Sequence, residues 1–194
     1  MRRFNTGAII AGLLSVLFLA SAASAEVSWD DVKKKATGAK SYSVLYKYSG
    51  PRGKYDFDYA FKPGNVRTEI LRGSDKTKVG TVIVYDKGWN ADRVRAKTGG
   101  GTIVRNLTHD DVKDTPFYRS IYDMIFDQVD SLGKPSASTS GSNTVFTFNG
   151  AGGQYRIWAN ENAEIVKTER KDGRDSETRR FASHKWNNNP KTDF

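Results

Sequence analysis

Tyr42-Ser43-Val44-Leu45-Tyr46-Lys47-Tyr48-Ser49-Gly50-Pro51-Arg52-Gly53-Lys54-Tyr55-Asp56-Phe57-Asp58-Tyr59-Ala60-Phe61-Lys62-Pro63-Gly64 is the stretch that decides the fold. Tyr42, Val44, Tyr46 and Tyr48 alternate with Ser43, Leu45 and Lys47, and Tyr55, Phe57, Tyr59 and Phe61 alternate with Asp56, Asp58 and Ala60. A period of two sends successive side chains to opposite faces of a strand, so each run is a half-buried strand with rings on one side. Ser49 to Gly53 is a turn cluster between them, and Pro63-Gly64 opens the next turn. Strands joined this closely pair antiparallel, because a parallel crossover needs a dozen or more residues.

The same grammar continues outward. Further strands are expected over Asn65 to Leu71, Val79 to Tyr85, Trp89 to Ala96 and Thr102 to Leu107, with Gly99-Gly100-Gly101 as a hairpin turn. After the middle of the chain, strands resume over Asn143 to Phe148, Gln154 to Ala159, Glu164 to Lys171 and Arg174 to His184. The last two form a hairpin across Asp172-Gly173. Pro135 to Ser142 reads as a flexible Ser/Gly-rich link. Helices interrupt this pattern twice. Glu26 to Ala39 places Trp29, Val32 and Ala36 at helical spacing behind a Ser28/Asp31 capping box, with Gly38 as a stop. Thr108 with Asp111 is a second box. A central helix is expected to start at Thr115 as N-cap with Pro116 at the first helical position. It runs through Leu132 and ends at Gly133 and Pro135. Its apolar stripe, including Ile121, Tyr122, Ile125, Phe126 and Val129, is wider than one face needs.

The predicted fold class is α+β: a curved, mostly antiparallel sheet of about ten strands, an incomplete β-barrel, with helices covering its concave face. A long twisted sheet tends to curl, and the helices need an apolar surface to lie on.

The N-terminus sets the compartment. Arg2 and Arg3 precede an apolar run from Ala8 to Ala20, and Ala23-Ser24-Ala25 is a small-residue cleavage site. Residues 1–25 are expected to be a signal peptide cleaved after Ala25, leaving residues 26–194 as one domain in the periplasm. Without Arg2 and Arg3 the basic side chains fall from 31 to 29 against 22 acidic ones, and the net charge falls from +9 to +7. The chain has no cysteine, which excludes disulfides, thiol catalysis and cysteine metal sites.

Signatures of catalysis are missing from the sequence. The histidines are His109, in a capping segment, and His184, at a strand end. There is no HExxH, no G-x-S-x-G and no phosphate-binding glycine loop ahead of a helix. Asp56 and Asp58 alternate with rings, as a solvated face does. The densest basic run, Arg170 to Arg180, also holds Asp172, Asp175 and Glu177, which argues against nucleic acid as partner. The expectation is a binding protein, not an enzyme, with no cofactor and no metal, acting as a monomer. A sheet too curved for its helices to fill leaves an apolar cavity, and such cavities take lipid-like ligands. Tyr46, Tyr48, Phe57, Tyr59, Phe61, Ile121, Ile125 and Val129 would line it.

Several segments resemble one family. Phe61-Lys62-Pro63-Gly64-Asn65-Val66-Arg67-Thr68-Glu69 looks like its strand, Pro turn and R-x-E strand. Val82-Ile83-Val84-Tyr85-Asp86-Lys87-Gly88-Trp89 is similar to its V-x-D-G-x-x-W hairpin, with Lys and Gly transposed. Thr115-Pro116-Phe117 matches the start of its central helix, and Trp186-Asn187 with Phe194 resembles its terminal strand and tail. The family is the LolA/LolB-like superfamily of periplasmic outer-membrane lipoprotein carriers, and this chain resembles a divergent member. The resemblance implies an incomplete barrel that binds a lipid or a lipoprotein acyl chain without chemistry. Arg67 would then meet a head group or fix a helix. Charges on several strands, as at Arg93, Arg95, Arg105, Lys167 and Glu169, depart from the very apolar carriers. They keep open an alternative, an envelope sensor or interaction domain of the same fold that binds a protein partner.

Overall fold

The chain leaves one edge of a single sheet and re-enters at the other. In the computed structural model, which describes residues 27–88, 93–98, 104–112, 115–151 and 153–194, helix α1 (Trp29–Thr37) precedes strands β1 (Tyr42–Gly50), β2 (Gly53–Lys62), β3 (Asn65–Gly73), β4 (Val82–Asp86), β5 (Arg93–Lys97) and β6 (Val104–Thr108). Helices α2 (His109–Val112) and α3 (Ile121–Asp130) follow. Then come β7 (Ser136–Ser140), β8 (Asn143–Gly150), β9 (Gly153–Ala159), β10 (Ile165–Asp172) and β11 (Asp175–Trp186). The leader 1–25, the Gly99–Gly101 turn and Trp89 lie outside the described residues.

The strand order is β6-β5-β4-β3-β2-β1-β11-β10-β9-β8-β7, and the paired neighbours are antiparallel. Two meanders are therefore sewn together along one long-range seam, β1 against β11. The sheet is not closed: β6 and β7 remain its edges. The segment between them has to cross the sheet, and this is what lays α3 over the ring-bearing face. The architecture is α+β, an incomplete barrel with helices on its concave side, as the periodicity and the resemblance led us to expect.

Local signals set most element boundaries. Ser28 and Asp31 form the expected capping box: Asp31 N donates to Ser28 Oγ at 3.1 Å and Ser28 N donates to Asp31 Oδ2 at 3.1 Å. The Ser28 hydroxyl, which donates to Asp31 Oδ2 at 2.6 Å, and then the Ser28 amide hold the Asp31 carboxyl below its ordinary range. Thr108 and Asp111 repeat the arrangement ahead of α2. The strands bury alternate residues, most cleanly Tyr42, Val44 and Tyr46 in β1. Thr68, between Val66 and Ile70, follows the same inward phase in β3.

Three expectations are corrected. The central helix begins at Ile121, capped by Ser120, and residues 115–119 are bends. Long-range bonds win there: Tyr59 Oη donates to the Arg119 carbonyl at 2.6 Å, and Tyr42 Oη binds Ser120 Oγ at 2.8 Å. Thr115 Oγ1 donates back to the Val112 carbonyl and accepts only a long forward bond, 3.4 Å, from Phe117 N. Residues 136–140 are not a link but strand β7, exposed throughout. An edge strand needs only backbone bonds to β8, so it leaves no apolar alternation to read. Finally, β4 starts at Val82, because Lys76–Lys78 form a 3-10 turn capped by Asp75 and Gly80 takes a φ of +78° behind it.

Candidate functional site

The concave face carries a continuous sheet of rings. Tyr46 stacks on Phe57 at 4.6 Å between centroids, Tyr42 lies 5.2 Å from Phe61, and Tyr46 meets Tyr59 edge-on at 6.1 Å. Register explains the array, since Tyr42, Val44 and Tyr46 stand opposite Phe61, Tyr59 and Phe57. α3 lies over these rings. Its Ile121, Tyr122, Met124, Ile125, Phe126 and Val129 are all buried, and Tyr122 comes within 4.9 Å of Tyr42. α1 covers the neighbouring strands through Trp29, whose ring lies 5.1–5.7 Å from Phe126, Phe146 and Phe148.

The structure thus brings the expected lining residues together. Tyr46, Phe57, Tyr59, Ile121, Ile125 and Val129 belong to one core cluster, each 7% exposed or less, and Tyr48 and Phe61 pack against it half-buried. Side chains occupy the space beneath α3. Arg67 is not brought to this face. It stands opposite Ala60 and Val84 on the other side of the sheet, where its Nη2 lies 2.6 Å from Glu69 Oε2.

The hydrogen bonds that tie α3 to the sheet lie at its N-terminal end. Tyr42 Oη binds Ser120 Oγ and also accepts from Ile121 N at 3.1 Å, while Tyr59 Oη donates to the Arg119 carbonyl. Burial pushes the phenols of Tyr42, Tyr46 and Tyr59 well above their ordinary range, so all three stay protonated. An ion pair from Lys33 to Asp130, 2.8 Å, ties the other end of α3 to α1. Burial, then Asp127, raises the Asp123 carboxyl above its usual range. Among the described residues, the buried hydroxyls of Tyr122 and Thr68 in this interior have no hydrogen-bond partner.

Polar groups gather at both ends of the covered region. Near the C-terminal end of α3, a hollow of about 190 Å³ is lined by Gln128, Leu132, Gly150, Gly153, Gln154, Tyr155, Arg170 and Lys171. The inward-facing Arg179 bridges to Glu177 at 2.6 Å and lies under the Tyr48 ring. At the other end, a groove of about 410 Å³ runs between α1 and the end of β11, past Lys34, Lys35, Ala163, Trp186 and Asn187. There Trp186 Nε1 donates to Glu164 Oε1 at 2.7 Å, and His184 stacks on Trp186 at 5.6 Å. Desolvation lowers the His184 pKa, and the bonds from Asn160 and Trp186 hold the Glu164 carboxyl below its usual range.

Sequence reasoning missed Arg179, although it shares its phase with Phe181 and so falls on the inward side of β11. It read His184 only as a strand end. The bulge that turns His184 inward sits at Ser183, whose φ is +57°, and leaves no sequence mark. Among the described residues there is no group of three His, Cys, Asp or Glu able to hold a metal, and no helix long and apolar enough to cross a membrane.

No family model matches the chain, and no curated protein matches it in sequence. Solved structures do. An uncharacterized conserved protein from Thermus thermophilus is similar with a TM-score of 0.51 and 11% identity over 81% of this chain and 83% of that one. The Mycobacterium tuberculosis lipoprotein LppX is similar with a TM-score of 0.50 and 13% identity over 84% of this chain and 95% of that one. At these identities the likeness is one of fold.

Proposed function

We propose that the protein is a periplasmic carrier that takes a lipid or a lipoprotein acyl chain between α3 and the ring-lined face of the sheet. The observation that carries this reading is the closure itself. A ten-residue helix, far more apolar than a surface helix, seals an unclosed barrel, and its hydrogen bonds to the strands beneath lie at one end. Displacing α3 would expose Tyr46, Phe57 and Tyr59 on one side and Ile121, Ile125 and Val129 on the other, with Tyr48 and Phe61 at the margins. An acyl chain laid between them would restore the burial, at roughly 25 cal/mol per Å² before the costs of association. The unpartnered hydroxyls of Tyr122 and Thr68 would find acceptors in an ester or head group. The likeness to a mycobacterial lipoprotein supports an envelope setting. Arg67 stands outside this site and the proposal gives it no contact with the cargo. The binding step makes or breaks no covalent bond.

The test is native mass spectrometry of the exported protein, purified without detergent. Adducts with lipid masses, lost on organic extraction and restored on adding phospholipid, are expected. A clean unliganded mass throughout, together with no lipid uptake by the extracted protein, would overturn the proposal.

A further inference from the structure

The face of the sheet turned away from α3 carries its own pattern. Register sets Trp158, Lys167, Arg180, Lys47, Asp56 and Arg72 side by side on β9, β10, β11, β1, β2 and β3. Their chain neighbours Ile157, Thr168, Arg179, Phe181, Tyr46 and Phe57 are buried on the concave side, so this row stands outside. Neighbouring strands lie about 4.8 Å apart, and Lys167, Arg180 and Lys47 therefore form an uninterrupted run of three cations. Like charges directly opposite on paired strands destabilise a sheet.

The fold relieves that repulsion at the two ends of the run and not in its middle. Asp56 lies 3.8 Å from Lys47 Nζ. Glu169 serves Arg156 and Lys167, with Lys171 Nζ at 3.7 Å. Arg180, exposed in the middle of the run, makes no ion pair among the described residues. Apolar groups flank the cations. Leu45, 41% exposed, stands opposite Ala182 in the adjacent row, and the half-buried Trp158 ring lies 4.0 Å from Lys167 Nζ.

We propose that this convex face docks on an anionic phospholipid bilayer. The match is in chemistry and shape. Cations on long, flexible stems can reach phosphates spread over a broad surface, and their attraction to an anionic leaflet acts within about a Debye length. Trp and Leu among them suit the head-group boundary, where amphipathic rings and Lys or Arg side chains anchor proteins. The surplus of 29 basic over 22 acidic residues, counted without Arg2 and Arg3, works in the same direction. Docked this way, α3 faces water and stays free to move. The inference does not depend on what binds beneath α3.

Vesicle flotation of the exported chain, its N-terminus fixed by mass, tests it. One vesicle set is pure phosphatidylcholine and the other contains one-third phosphatidylglycerol. Binding to the anionic set is expected to be at least tenfold stronger and to fall steeply with salt. The triple variant Lys47→Gln, Lys167→Gln and Arg180→Gln should lose that preference at least tenfold. A control triple of equal charge loss, Lys76→Gln, Lys87→Gln and Lys134→Gln, should lose less than twofold. Equal binding to both vesicle sets, or equal loss in the two triples, would overturn the proposal. So would soluble polyglutamate competing as well as phosphatidylglycerol at equal charge, which would make an acidic polypeptide the partner.

Discussion

Tyr42 sits on the middle strand of the sheet and holds α3 by its hydroxyl, which serves both Ser120 Oγ and Ile121 N. Tyr42→Phe leaves Ile121 N without its acceptor and Ser120 Oγ with only Asp123 N, and should cost about 1–3 kcal/mol, read as a lower urea midpoint at unchanged slope. If α3 is the lid, the same variant should also take up added lipid faster. Tyr59→Phe frees only the Arg119 carbonyl and should cost less. His184 and Glu164 give the pH dependence. The His184 pKa is lowered in the fold, so the unfolded chain binds its proton first, and the stability this residue contributes is full above its ordinary pKa of about 6.5. It is lost as pH falls through the lower folded value. Glu164, also lowered, adds a second loss below its ordinary range. The Tm should drop between pH 7.5 and 5.5, and His184→Gln should flatten that drop while leaving the more acidic loss in place.

At the scale of elements, α3 and the β8–β9 hairpin are the pieces whose packing leaves least room. Ile125 is fully buried at the centre of α3. Ile125→Ala should cost about 2–5 kcal/mol in denaturant unfolding, with the lower end meaning that the rings beneath can close the gap. Gly153 has a φ of +132°, and a Cβ there would lie 1.9 Å from the Lys171 carbonyl oxygen. Gly153→Ala therefore forces β9 away from β10. The backbone conformation alone should cost about 1–3 kcal/mol, and the loss should appear as raised amide exchange across both strands. α3 ends at Asp130 with Ser131 as its cap, two residues short of the Leu132 expected, and Gly133, with φ of +82°, only turns the chain after Leu132.

Over the whole molecule, the β1–β11 seam is the contact that makes one sheet out of two meanders. Amides of β1 and β11 should exchange only on global unfolding, and those of α3 well before them, because α3 bonds to the sheet through few polar groups. Hydrogen exchange with and without lipid checks this, and bound lipid should slow α3 selectively. Much of the architecture is written locally in the sequence. Alternation in Tyr42–Tyr48 and Tyr55–Phe61, the Ser28/Asp31 and Thr108/Asp111 boxes and the Asp172-Gly173 turn each act within a few residues, so neighbours in the chain suffice to set them. Alternation likewise put Arg67 and Glu69 together on the side away from Val66 and Ile70. The start of α3, the pairing of β1 with β11, the strand character of Ser136–Ser140 and the inward turn of His184 belong to the tertiary structure. Each depends on a hydrogen-bond partner far away in the chain, or on a bulge that shifts the facing residues by one position. The filled interior under α3 and the cation row on the convex face have the same origin, since side-chain volume and cross-strand register exist only once the sheet has formed.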